Sequence, residues 1–243
     1  MKLKLLAATA VAALGLTATA TSAAEIVNVT AVVGDMIPIG ETLITNFDST
    51  GGTDISGPGS QQGGAITSVN GDYTFTQDNG AYTRNGSAGL DPNVSAPPPG
   101  DTGFYETVLG GGSATLTALK GMTQFSFYMG SPDTYNNVLI TVVGLNGQTQ
   151  TLAGPQIWCP SNPIPGDLCY QGGGDQSLGY TVTYNFSPDA VRTIEFTSSG
   201  NSFEFDTLAG ISVPEPASWA LMIMGFGAAG AMVRAQRRQQ AAA

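Results

Sequence analysis

The middle of this chain, residues 25–212, predicts an all-β fold: an antiparallel β-sandwich, jelly-roll-like, flanked by an N-terminal signal peptide and a C-terminal single transmembrane helix. Three features carry the β part. Apolar residues come in short alternating runs and not at helical spacing. Gly, Thr, Ser and Asn dominate the same region, with 33 glycines in the chain of 243. Turn dipeptides that supply positive φ recur between the runs, at Asn70-Gly71, Asp78-Asn79-Gly80 and Asn146-Gly147. No internal repeat is visible, which argues against a solenoid or propeller.

In order, the runs predict strands over 26–33, 43–47, 65–69, 73–76, 104–108, 114–119, 123–129, 138–143, 149–152, 180–186, 191–197 and 202–206. Asn146-Gly147, between the eighth and ninth, is the best-marked hairpin. Three stretches, 49–64, 85–102 with its Pro97-Pro98-Pro99, and 154–174, are too long for hairpins and belong at the ends of the sandwich. Many short strands in about 190 residues suit two sheets packed face to face in one domain.

Residues 25–213 hold 17 of the 18 acidic residues and three bases, Arg84, Lys120 and Arg192, so the net charge there is 3 − 17 = −14. Nucleic acid is excluded as a partner, because a phosphate backbone is bound by clustered Lys and Arg. The acidity suits solubility outside the cell and leaves carboxylates for calcium. The chain has no histidine, which removes His-based triads, His-ligated zinc and the usual neutral-pH general base. A glycosidase could use two acids, but no motif singles out a pair, and the chain reads as a non-enzyme.

The two ends are addresses. Residues 1–24 carry Lys2 and Lys4, an apolar stretch from 5 to 16 and small residues to Ala24, the three regions of a signal peptide, with removal expected after Ala24. At the other end, Val213-Pro214-Glu215-Pro216-Ala217-Ser218-Trp219-Ala220 leads into an uncharged run to Val233, followed by Arg234, Arg237 and Arg238. As a helix, the 17 residues from 217 to 233 would be roughly 26 Å long against a hydrocarbon core of about 30 Å, enough for a thin membrane. The arginines would place the tail end in the cytoplasm.

Pro214, Glu215 and Pro216, then Trp219 at the start of an apolar helix, Gly225-Phe226-Gly227 and finally Arg237 and Arg238 resemble the PEP-CTERM sorting signal in its PEPxxWA form. The resemblance covers residues 213–238. It implies an exosortase as partner, a membrane-embedded enzyme that cuts at the Pro-Glu-Pro. A plain membrane anchor, whose prolines only end a strand and begin a helix, is the competing reading of the same residues.

Inside the domain, 125–137 resembles a segment recurring in exported domains with such tails. Asp133, Tyr135 and Asn136 would sit at a sandwich edge, where carbohydrate binders place polar and aromatic groups; a turn with a buried Tyr135 is the plainer reading. In 202–206, two-residue alternation puts Phe203 and Phe205 inward and Glu204 and Asp206 outward. The two ends of the domain resemble those of jelly-roll carbohydrate-binding modules, which implies a structural calcium between Asp48 and Asp206; ordinary solvated edge charges are the alternative. The reading that joins these parts is a non-enzymatic exported protein of the cell surface or the exopolysaccharide matrix of a biofilm, sorted at its tail and held only transiently at the inner membrane. A carbohydrate-binding or, less favoured, carbohydrate-cleaving domain and a permanently anchored periplasmic protein are the alternatives.

Cys159 and Cys169 are the only cysteines, ten positions apart in an exported chain, and are expected to form a disulfide worth about 2 to 3 kcal/mol. Alkylation of the freshly isolated protein without reductant should therefore label neither thiol, as read by intact mass; two labelled cysteines would refute the pairing.

Overall fold

The computed structural model describes residues 25–48, 64–67, 72–78, 80–85, 95–130, 132, 138–158, 177–187, 190–213 and 216–241. Twelve strands follow in order: β1 (Glu25–Val33), β2 (Thr42–Thr45), β3 (Gly64–Thr67), β4 (Tyr73–Gln77), β5 (Ala81–Asn85), β6 (Phe104–Val108), β7 (Gly112–Gly130), β8 (Val138–Gly144), β9 (Thr149–Ala153), β10 (Gly179–Ser187), β11 (Val191–Ser198) and β12 (Phe203–Ser212). A 3-10 turn, Gly154–Ile157, and the α-helix α1 (Pro216–Ala241) are described as well. All strand pairings are antiparallel.

The architecture turns on β7, whose two halves belong to different layers. Its first half pairs with β4 from Ala114 to Ala118 and with β11 on its other edge, giving the order β3-β4-β7-β11-β8-β9. Its second half lies between β10 and β12, with β1 outside β10 and with β2 and β6-β5 sharing the far edge of β12. The change of layer falls at Gly121, whose φ of +85° bends the strand as a residue with a side chain rarely would. The sequence predicts two strands here, 114–119 and 123–129; the structure has one, and the glycine redirects the ladder without ending it. At the bend, Leu119 N–H donates to Asp72 O (2.9 Å) and Lys120 pairs with the Asp72 carboxylate (2.9 Å).

Rings from the two layers meet between them. Phe75 and Phe196 of the first layer face Phe125, Phe127, Phe203 and Phe205 of the second. Phe196 stacks on Phe205 with centroids 4.2 Å apart, and Phe75 meets Phe47 edge-on at 5.2 Å. Such pairs add about 0.5–1.5 kcal/mol each beyond the area they bury. Tyr184 is also buried, its hydroxyl donating to Ile157 O at 2.6 Å.

The outer face of the second layer is covered as well, which two-residue alternation does not foresee. Every residue from Phe125 to Gly130 is buried. Tyr128 donates its hydroxyl to Pro99 O at 2.6 Å, Ser126 bonds Glu41, and Gly130 leaves room for Pro98 and Pro99 to lie against it. Glu204 and Asp206, expected outward and solvated, are correspondingly buried at 6 % exposure each, while Phe203 and Phe205 do face the core.

Strand β5, which follows the Asp78-Asn79-Gly80 turn, has no counterpart among the expected strands. The Asn146-Gly147 hairpin is present: β8 pairs with β9, Gly147 has a φ of +80°, and its N–H donates to Gly144 O at 3.0 Å. Cys159, Cys169 and the 133–137 segment lie outside the described residues, and no disulfide is found among the described ones.

At one end, a buried polar cluster joins the layers. Gln77 of β4 donates to Glu106 of β6 (2.6 Å), and Thr83 of β5 donates to the same Oε2 (3.1 Å), leaving Glu106 Oε1 without a partner. Burial pushes the Glu106 carboxyl from 4.5 up to about 8, against the two donors that lower it. The unfolded chain loses this proton first, so the stability linked to Glu106 falls as pH rises from about 4.5 to about 8 and is level above that. Glu106→Gln should therefore lose less melting temperature than wild type between about pH 5 and about pH 8; identical slopes in paired thermal melts would refute the assignment.

Candidate functional site: an acidic cleft and the C-terminal tail

Four aspartates reach one cleft from four separate segments. Asp35 follows β1, just after Gly34 at φ +99°, whose carbonyl accepts from Thr181 Oγ1 at 2.7 Å. Asp48 follows β2 through Phe47, which is held at φ +58° with its N–H donating to Thr45 Oγ1. Asp101 is presented by the turn Pro98-Pro99-Gly100-Asp101, where Gly100 has a φ of +83° and Asp101 N–H closes the turn on Pro98 O at 3.0 Å. Proline second and glycine third are what a type II turn requires. Asp206 sits in β12 beside a register shift that runs from 206 to 209, and Thr207, inside it, has a φ of +47°. A bulge of this kind re-aims side chains that regular alternation would direct elsewhere. Phe47 and Thr207 are the two non-glycine residues with positive φ among those described, and each adjoins a cleft aspartate.

The cleft encloses about 440 Å³, and Asn46 and Thr207 line it together with the four acids. No lysine, arginine or aromatic ring is among its lining residues. Asp48 accepts at both oxygens, Oδ1 from Phe104 N–H (2.6 Å) and Oδ2 from Asn46 Nδ2 (2.9 Å). Asp101 Oδ1 accepts from Gly103 N–H at 2.7 Å, and Asp35 Oδ2 from Thr207 Oγ1 at 3.1 Å. Two of the remaining oxygens, Asp101 Oδ2 and Asp206 Oδ1, are buried and without a hydrogen-bond partner.

Electrostatics follow from that crowding. Burial, reinforced by Asp101, Asp35 and Asp48, pushes Asp206 up to about 9, although the Thr207 N–H opposes it. Asp101 is raised to about 6, first by burial and then by Asp48 and Asp35, with Gly103 N–H pulling the other way. Asp35 is also raised, by burial. Among the described residues no group of three or more His, Cys, Asp or Glu side chains is arranged to hold a metal ion.

The structure thus brings the expected Asp48 and Asp206 to one cleft, Asp48 exposed and Asp206 buried. It adds Asp35 and Asp101, which sequence reasoning missed. The Pro-Pro-Gly-Asp turn was a usable signal for Asp101; nothing in the sequence marked Asp35. Asp133, Tyr135 and Asn136 are outside the described residues.

The tail is the second candidate site. Strand β12 ends at Ser212, and α1 begins at Pro216, a position that proline tolerates because a first-turn N–H has no intrahelical partner. The described side chains of α1, among them Leu221, Ile223, Phe226 and Met232, are exposed. Among the described residues no helix is long and apolar enough to cross a membrane, so the expected transmembrane helix over 217–233 is not supported. The uncharged run falls short of the roughly 20 apolar residues that a bilayer core asks for, and small residues, Gly225, Gly227 and Gly230 among them, lower its apolarity. Pro214 and Glu215 lie outside the described residues, and nothing is described of the Pro216, Trp219 and Arg238 side chains, whereas Arg237 is exposed.

The fold aligns over 72 % of this chain with 99 % of the K2 cleaved adhesin domain of Lys-gingipain, at 12 % identity and a TM-score of 0.38. Over 74 % of this chain it aligns with 99 % of the family 11 carbohydrate-binding module from Clostridium thermocellum, at 14 % identity and a TM-score of 0.24. No curated protein sequence matches the chain.

Gly103 is the tightest point of the cleft, since a Cβ there would collide with the Asp48 carboxylate. Gly103→Ala should displace Asp48 from Phe104 N–H and cost about 1–2 kcal/mol, a fall of roughly 3–6 °C in melting temperature. Adding Asp48→Ala should then cost little more, because the clash goes with the carboxylate; full additivity of the two would refute this account.

The tail itself is assigned by its own residues, and residues 212–238 match the PEP-CTERM protein-sorting motif, so the chain carries that signal at its C-terminus.

Proposed function

We propose that this chain is a non-enzymatic exported protein whose antiparallel β domain is delivered to the cell surface or an exopolysaccharide matrix by exosortase processing at Pro214, Glu215 and Pro216. The observation that carries this reading is the sorting motif at 212–238. Two others support it. The described part of α1 exposes its apolar side chains and does not bury them on the β domain, which leaves the helix for handling by something outside the domain. The chain lacks histidine, and its acidic surface suits an extracellular setting.

A carbohydrate-binding role would be favoured by aromatic rings around an acid-lined groove. The cleft has the acids but no ring among its lining residues, and Phe226 in α1 is the one aromatic among the described, exposed large apolar side chains. The matrix role is therefore preferred over the binding role.

An anchor depends on the apolar length of the tail, to which Pro214, Glu215 and Pro216 add little, whereas a processing enzyme must read those three residues. Changing all three to alanine should leave delivery to the membrane fraction intact but abolish shortening of the chain in its native host, by intact mass and C-terminal peptide mapping. In a host without exosortase, wild type and variant should behave alike. A wild-type protein that is never shortened, or a variant shortened equally well, would refute the sorting reading and leave the permanent anchor.

A further inference from the structure

We propose that Gln77, Thr83 and Glu106 form a self-modification site, in which the Thr83 hydroxyl becomes joined to the Gln77 side chain as an ester while Glu106 carries the proton. The three groups meet where the chain passes from β4, in the first layer, to β5, which reaches the second through β6. Gln77 Nε2 donates to Thr83 Oγ1 at 2.8 Å and to Glu106 Oε2 at 2.6 Å, and Thr83 Oγ1 donates to the same Oε2 at 3.1 Å. A hydroxyl nucleophile, an acyl group with a nitrogen leaving group and a carboxyl thus stand in mutual contact, the set of groups that acyl transfer needs. Thr83 and Glu106 have no exposed surface, and Gln77 is 4 % exposed.

The corner between the two strands holds these groups in place. Asp78 N–H donates to Ser113 O (2.9 Å), Ala81 N–H to Asp78 O (3.0 Å) and Leu109 N–H to Gly80 O (2.8 Å). The Asp78 carboxylate also accepts from Ser113 Oγ at 2.9 Å, and a Cβ on Gly80 would stand only 2.9 Å from Gly112 Cα. Side chains pinned at the two ends of a fixed turn react as one molecule, which removes the entropy cost of bringing them together. In the step, Thr83 Oγ1 passes its proton to Glu106 Oε2 and bonds to Gln77 Cδ. The Cδ–Nε2 bond breaks, and the proton on Oε2 goes to the departing nitrogen, which leaves as ammonia. One carboxyl oxygen serves both transfers, because it touches the hydroxyl and the leaving nitrogen alike. Burial pushes this carboxyl up to about 8, where it can take and return a proton near neutral pH. The same burial keeps water from the ester. Ammonia takes up a proton in bulk water, which draws the exchange forward, and the product is a covalent tie between the two layers.

The bond forms within the β domain, whether or not the tail is cut. Its test uses the full chain, folded and held at neutral pH until its mass no longer changes. The intact mass should settle about 17 Da below that of the sequence with the same termini, the loss of one ammonia. After denaturation, cleavage before Asp72, Asp78 and Asp91 should release 72–77 and 78–90 still joined, which places the loss here and not at Asn146-Gly147. Mild alkali should then part the two fragments, as it does an ester and not an amide. Thr83→Val and Glu106→Gln should both keep the full mass, whereas Thr83→Ser, which retains a hydroxyl, should still lose ammonia. If Thr83→Val fails to fold, the wild-type fragments decide by themselves. A wild-type chain of full mass, fragments that separate without alkali, or an equal loss in Thr83→Val would overturn the bond.

Discussion

A single strand that serves two sheets is the constraint on which the structure depends. β7 gives its first half to one layer and its second half to the other, so the two faces of the core are covalently one piece and their registers cannot slip independently. A one-residue slip in either half would turn Phe125 and Phe127, or Leu116, out of the core they share. The bend therefore needs a residue without a side-chain penalty at φ +85°, and Gly121 provides it. A Cβ at that point would press on Leu145 at 3.1 Å and Ala190 at 3.2 Å, so the position is restricted by packing as well as by conformation.

The same architecture explains why acids become buried in a chain with few bases. Because the second layer is covered on both faces, residues that point away from the ring core still leave water. Glu106 is left in a cluster with Gln77 and Thr83, and Asp206 is left facing three other carboxylates. The two cases differ in kind. Glu106 has donors from two neighbouring strands and stands as an internal polar link between layers. Asp206 has other carboxylates for company, and beyond the Thr207 N–H it finds no donor for Oδ1, so burial and its neighbours favour the uncharged carboxyl.

How much of this was legible in the sequence follows from the range of the interactions involved. The strands with simple alternation, the Asn146-Gly147 hairpin and the inward placement of Phe203 and Phe205 depend on neighbours in the chain, and they were readable. β5 was not, because Tyr82, Thr83 and Arg84 carry too much polarity for a strand pattern, and the strand is set by its pairing with β6. Glu204 and Asp206 were placed outward by the correct periodicity but the wrong assumption of an open outer face; Pro98 and Pro99, distant in sequence, help to close it. Asp48 and Asp206 were paired through a resemblance, whereas Asp35 and Asp101 enter only because loops from different strands meet at one end. The sorting tail was the most legible part, since the motif matched at 212–238 is a linear string of residues.

The junction between domain and tail is set by the bend in β7. Ser212 pairs with Met122, and Val213 N–H donates to Gly121 O at 3.0 Å, so the ladder holds the chain up to the residue before Pro214. An enzyme that reads an extended substrate cannot also engage 211–213 in a strand of its own without first breaking those bonds. Processing at Pro214, Glu215 and Pro216, as proposed, therefore falls just past the last residue that the ladder holds. The prolines fit this division of labour: Pro214 has no N–H with which to extend the ladder, and Pro216 begins α1. β12 is thus the element shared by all three parts of the molecule, giving Phe205 to the core, Asp206 to the cleft and its last residue to the start of the signal.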